Sequence, residues 1–278
     1  MIDFRKETGT RAAAEKNGRR ALVLDCAELR SIGTLPAPYT GVVTGWDEMI
    51  RTVPHEPPST VAIIHPLRDG SPDPRVRELI AAAPLVPVLA VIPFQPEHAD
   101  GMKTLYAWGV ADLADTPFES RAIAPRLQSV HAQPFKRLLE PHLSRFVSMY
   151  ALTLIRAAAG VTVDRGAATD LARIFGAGER TVAGWCARSS LPPPRRLLAW
   201  LRLLLALALL DTPGRTVVQA ARLAGYHDQS LRRAVRELLG AGIRPRPGEF
   251  ANAAMAFNAE LREYRERARE ARRGTRPP

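Results

Sequence analysis

Hydrophobic positions along the chain change their spacing about halfway. From residue 21 they come as short unbroken runs, at 21–24, 41–44, 60–64 and 86–92, with a last one at 110–113. Runs this short, apolar on both faces, suit strands buried in a parallel sheet. Between the later runs, residues 74–83 and 99–108 carry apolar residues at helical spacing, so the pattern predicts an α/β domain with helices flanking a parallel sheet. From Phe146 the period lengthens: Phe146, Val147, Tyr150, Ala151, Leu154 and Ile155 fall on one face of a helix. Residues 197–210 are apolar on nearly every side, with Arg202 among them. The run is shorter than the roughly 20 residues of a membrane span, and it predicts a helix buried between two subdomains.

The remaining stretches set the expected boundaries. Residues 1–20 have no apolar period and read as a mobile arm. Residues 131–142, punctuated by Pro134 and Pro141, read as a linker. Residues 258–278 are laced with opposite charges at helical spacing and read as a solvated tail. The expected order is an arm at 1–20, an α/β domain at 21–130, a linker at 131–142, an all-α domain at 143–257 and a charged tail at 258–278.

Within the second half one short pattern occurs twice. Leu171-Ala172-Arg173-Ile174-Phe175-Gly176 is followed by Ala177-Gly178-Glu179-Arg180-Thr181-Val182, and Ala220-Ala221-Arg222-Leu223-Ala224-Gly225 by Tyr226-His227-Asp228-Gln229-Ser230-Leu231. In each copy a small residue four before the glycine, Ala172 or Ala221, lets a second helix cross closely. The glycine permits a turn with positive φ. Apolar residues resume six positions later, at Val182 and Leu231. That is the spacing of a helix-turn-helix, whose second helix lies in a DNA major groove. One match is weak, because alanine and glycine are common; two in one segment are stronger. Between them Pro192-Pro193-Pro194 suits a helix start and Asp211-Thr212-Pro213-Gly214 a stop.

Two such units joined by a long apolar helix resemble the DNA-binding domain of the AraC/XylS family, over residues 143–250. Family members usually carry an extra residue in the second turn and an aromatic where Leu231 stands. Their closing Gly-x-x-Pro-x-x-Tyr/Phe is spread here over 240–250, with Pro247 three before Phe250. The resemblance implies a sequence-specific transcription regulator. The residues at and just past the start of each second helix would face DNA: Arg180 and Arg233 for guanine, and Gln229 for adenine, by their donor patterns. Thr181, Arg188, Ser230, Arg232 and Arg236 would hold phosphates. One subunit would span two major-groove segments about one turn, ~34 Å, apart.

The first half resembles a response-regulator receiver, most closely at Gly109-Val110-Ala111-Asp112-Leu113-Ala114-Asp115-Thr116-Pro117-Phe118. A receiver needs paired acids after its first strand, an Asp ending the third, a Ser or Thr ending the fourth and a Lys before the final Pro-Phe. The matching positions here are Asp25-Cys26, His65, Ile92 and Thr116. One carboxylate, Asp25, cannot assemble a hard-cation site. The domain therefore reads as a pseudo-receiver without aspartyl-phosphate chemistry, serving partner binding or dimerisation.

Charge sharpens this division. The formal net charge is +11. Residues 1–134 hold 14 Lys and Arg against 16 Asp and Glu, whereas 135–278 hold 25 against 12, so the basic excess sits with the repeated motif and points to a polyanion. The expected partner is double-stranded DNA, with a second copy and RNA polymerase as further candidates and no membrane. No cofactor and no metal are expected: His65 has no second ligand beside it, and His98, His131 and His142 are scattered. Cys26 and Cys186 lie far apart, suit a reducing interior and read as apolar fillers. Without an apolar leader at the N-terminus, the expected location is cytoplasmic. Two alternatives stand beside the regulator. One is a non-specific, nucleoid-type DNA binder with a steep salt slope. The other is an enzyme on the α/β half, which would lack a Gly-rich phosphate loop, a nucleophile elbow, an HExxH and paired catalytic acids.

Overall fold

Buried strands and an apolar helix nucleate two separate cores. The computed structural model describes residues 18–32, 35–115, 120–143, 146–227, 229–240 and 244–274, and the chain divides into units at 1–134 and 135–278. In the first, the strands are β1 (Arg19–Leu24), β2 (Tyr39–Thr44), β3 (Val61–Ile64), a small antiparallel hairpin of β4 (Leu67–Arg68) and β5 (Ser71–Pro72), β6 (Val88–Ile92) and β7 (Asp112–Asp115). The main sheet is parallel, in the order β2-β1-β3-β6-β7. This is the doubly wound order common to flavodoxin-like and receiver folds, which reverses between β1 and β3. Helices α1 (Trp46–Thr52), α2 (Arg75–Ala82), α3 (Ala99–Trp108) and α4 (Ser120–Val130) connect and follow the strands. β3 and β6 are buried along their whole length, as unbroken apolar runs in a parallel sheet should be.

Three boundaries differ from expectation. Residues 1–17 of the arm lie outside the described residues, and Arg19 and Arg20 belong to β1, where Arg20 pairs with the buried Glu56. The run at 110–113 is displaced: Ala111 N donates to Val88 O, and the strand proper is Asp112–Asp115. The proposed linker is helical. α5 (Gln133–Leu139) and a 3₁₀ turn at Glu140–His142 occupy it, because Phe135 and Leu139, four apart, are both buried.

The second unit is all helical: α6 (Met149–Val163), α7 (Ala168–Ile174), α8 (Glu179–Arg188), α9 (Pro194–Leu210), α10 (Val217–Leu223), α11 (Ser230–Leu239) and α12 (Phe250–Gly274). α9 starts on a proline, whose fixed φ suits the first helical position. It touches α6, α7, α8, α10, α11 and α12. Every residue from 203 to 210 is buried, each leucine contributing about 1.5–3 kcal/mol. A residue so enclosed needs an apolar surface all round, which the sequence supplies.

α12 corrects the expected tail. It crosses the 257/258 boundary without a break and buries Ala253, Ala254, Phe257 and Leu261. Glu260, on that same face, accepts from Trp200 Nε1 at 2.7 Å and from Arg196 Nε and Nη2 at 3.0 and 2.8 Å. Among the described residues, no helix is long and apolar enough to cross a membrane.

Candidate nucleic-acid interface

Each half of the repeated pattern folds as a helix, a turn and a second helix. In the first unit Ala172 is buried on α7, Gly176 turns the chain at φ +59°, and Val182 and Cys186 pin α8. In the second Ala221 is buried on α10, Gly225 turns the chain at φ +80°, and Leu231 and Val235 pin α11. The starts differ. Thr216 Oγ1 accepts from Gln219 N, and Gln219 Oε1 accepts from Thr216 N, a reciprocal capping box for α10. α7 starts on Ala167, which has no side-chain acceptor; Asp170 Oδ2 accepts from Ala167 N at 2.8 Å instead. Phe175 and Trp185 meet edge to face across the first turn, with ring centroids 5.7 Å apart.

Burial on one side of α8 and α11 leaves their polar residues on the other. Arg180, Thr181, Arg188, Gln229, Arg232, Arg233 and Arg236 are exposed, and Ser230 is half-buried. Gln229 is the residue at the start of α11, and Ser230 N donates back to His227 O at 2.8 Å. Asp228 lies outside the described residues. Arg233 is not idle: its Nε donates to Glu237 Oε1 at 2.6 Å, which raises the guanidinium above its ordinary pKa. Arg188 folds back along α8, its Nη1 3.5 Å from where a Cβ on Gly184 would stand.

Arg188 also shares a cavity of about 250 Å³ with Ser148, Ser189, Ser190, Phe146 and Arg265 of α12. The Arg265 guanidinium lies 4.9 Å from the Phe146 ring centroid. Spacing along the chain gave no hint of Arg265, since nothing local links α12 to residue 146.

In the first unit the strand ends that would carry receiver chemistry hold other groups. Asp25 is exposed, and Ile92 is fully buried and has no hydroxyl. Thr116 lies outside the described residues. Burial pushes the Cys26 thiol up to about 11, and burial holds His65 below its usual value. A cavity of about 440 Å³ opens at these ends. Its buried carboxylate, Asp73, is bound by the Arg75 fork at 3.0 and 2.5 Å, and that guanidinium stacks over Trp46 at 4.9 Å. The Asp73–Arg75 pair was not legible in advance. Cys186 is fully buried, which pushes its thiol up to about 11 as well. No group of three His, Cys, Asp or Glu placed to hold a metal occurs among the described residues.

Residues 171–244 match a family described as a helix-turn-helix domain. The matched span runs from within α7 to past the end of α11 and takes in α9. No curated protein matches the chain. Among solved structures, the chain is similar to full-length FixJ from B. japonicum, at 16% identity and a TM-score of 0.33 over 75% of this chain and 97% of that one. The fold of the first unit stands on its strand order, not on that likeness.

Proposed function

We propose that the protein is a sequence-specific transcription regulator of the AraC type, with α8 and α11 entering successive major-groove segments of double-stranded DNA. One observation carries this reading: two helix-turn-helix units share a single buried helix, and each turns an arginine-bearing second helix outward. Arg180 and Arg233 read guanine and Gln229 reads adenine, because their donors match those base edges. Thr181, Arg188, Ser230, Arg232 and Arg236 hold phosphates and set position. The basic excess of this half supplies affinity for any DNA, and the base-matching side chains at the helix starts favour a preferred site over non-specific binding.

The α/β unit serves as a pseudo-receiver for partner binding or dimerisation, with a second copy and RNA polymerase as the candidate partners. Arginine-neutralised Asp73 and the apolar Ile92 support a role without phosphoryl transfer. Such a regulator works in the cytoplasm, beside its DNA. Selection from a randomised duplex library by the purified full chain at ~150 mM salt tests the reading. It should recover a motif with two blocks about one turn apart. Enrichment of no sequence, with binding lost as salt rises, would overturn it.

A further inference from the structure

The two helix-turn-helix units meet each other as well as α9. After α6 the chain turns through Arg165 and Gly166, where Arg165 N donates to Thr162 O at 3.0 Å and Gly166 N to Val161 O at 2.8 Å. Arg165 holds φ +60°, a left-handed conformation that glycine ordinarily fills. The turn of the second unit presses on this one. A Cβ on Gly225 would stand 3.0 Å from Cγ and 3.2 Å from Cβ of Arg165. Arg202, on α9, holds the first of these turns: its Nη2 donates to Gly166 O at 2.8 Å. Next to Gly225, the Tyr226 phenol is driven far above its usual pKa by burial, against an opposing pull from the Arg202 charge.

Arg202 is a poor stabiliser. It places a charge in the apolar run 197–210, and its Nε, like the Tyr226 hydroxyl, is buried with no hydrogen-bond partner among the described residues. A buried donor left unmet costs free energy, and an apolar residue of similar size would pack there without that cost. What Arg202 does supply is direction. Leucine contacts along α9 are non-directional and can slide, whereas a charge-assisted hydrogen bond to one carbonyl fixes a register.

We infer that Arg202 and Arg165 are positioning residues for DNA specificity: Arg202 ties α9 to the turn before α7, and Arg165 on that turn bears on the turn before α11, so that the two recognition helices keep one separation and one rotation. The inference rests on the reading of α8 and α11 as DNA-contacting helices. Each base pair inserted between half-sites moves the second by ~3.4 Å and turns it by roughly 34°. A braced reader cannot follow that change, and a loosened one can.

The test uses the full chain and the site it selects from a randomised library, remade as duplexes with spacers from two base pairs shorter to two longer. Wild type should lose about tenfold or more in affinity at each wrong spacing, the size of a mismatch penalty. Arg202→Met keeps the bulk of the side chain and should melt no lower than wild type. It should bind the selected spacing within about threefold, with the penalty for wrong spacings falling below about threefold. Arg165→Gly removes the cover over Gly225 while relieving the left-handed backbone, and should flatten the profile in the same way. It decides the matter if Arg202→Met does not fold. Folded variants that keep the steep wild-type profile overturn the brace, as does a wild type that selects a motif but accepts every spacing. A wild type that selects no motif overturns the DNA-reading proposal itself.

Discussion

The two helix-turn-helix units share a frame and differ in almost everything mounted on it. Both have a buried alanine, a positive-φ glycine and two apolar pins. Around that frame, α7 starts after an alanine without a side-chain acceptor, with only Asp170 reaching back, while α10 starts on a full capping box. Among the described residues nothing crowds Gly176, while Gly225 turns under the Arg165 side chain. α8 carries Arg180 and Arg188 near its two ends. α11 carries Arg232, Arg233 and Arg236 along its outer side, with Arg233 paired to Glu237. Backbone sterics dictate the shared part, because only a small residue allows the helix crossing and only glycine turns without strain. The rest is free to specialise, and the second unit has become the more closely held and the more basic.

Substitutions at the two turns should break this symmetry most clearly. Gly225→Ala meets both a left-handed φ and Arg165, and should cost about 2–4 kcal/mol. Gly176→Ala meets only the φ penalty and should cost about 1–2 kcal/mol; chemical denaturation of both variants measures the gap, and equal losses would mean that Arg165 yields. Next come the contacts proposed to DNA. Arg233→Ala should weaken the selected site about ten- to hundredfold and relax one base position, whereas Arg188→Ala should weaken all sequences alike and lower the salt slope by about one. Competition binding on single-base variants separates the two outcomes.

The helix starts come third. Thr216→Ala should cost about 1 kcal/mol, and Ala167→Ser, which gives α7 the acceptor it lacks, should gain about 0.5–1 kcal/mol. Melting curves for this pair measure the difference in capping. Smallest is Glu237→Gln, which releases Arg233: it should tighten specific binding by about twofold while leaving the melting temperature nearly unchanged.

What could be read in advance was local. The parallel strands follow from short apolar runs such as 60–64, because a buried strand shows as an unbroken run. The start of α9 follows from Pro194. Both helix-turn-helix frames follow from Ala172, Gly176 and Val182 and from Ala221, Gly225 and Leu231, because backbone sterics act over a few residues. α12 was half legible: its stripe at 250, 253, 254, 257 and 261 has a helical period, but the charges interleaved with it read as a solvated tail.

The linker at 131–142 failed for a related reason, since its prolines spoke louder than Phe135 and Leu139. Other features had no local mark at all. Glu260 reaches Trp200 and Arg196, Arg202 reaches Gly166, and Arg165 covers Gly225. Each partner is common on a protein surface, and only the meeting of distant surfaces gives it a role. The amino-acid sequence thus determined the two cores and the two helix-turn-helix frames, whose causes lie within a turn of helix or a single strand. The tertiary structure alone decided the strand order, the docking of α12 and the junction around Arg202, because those depend on which faces meet once the cores have closed.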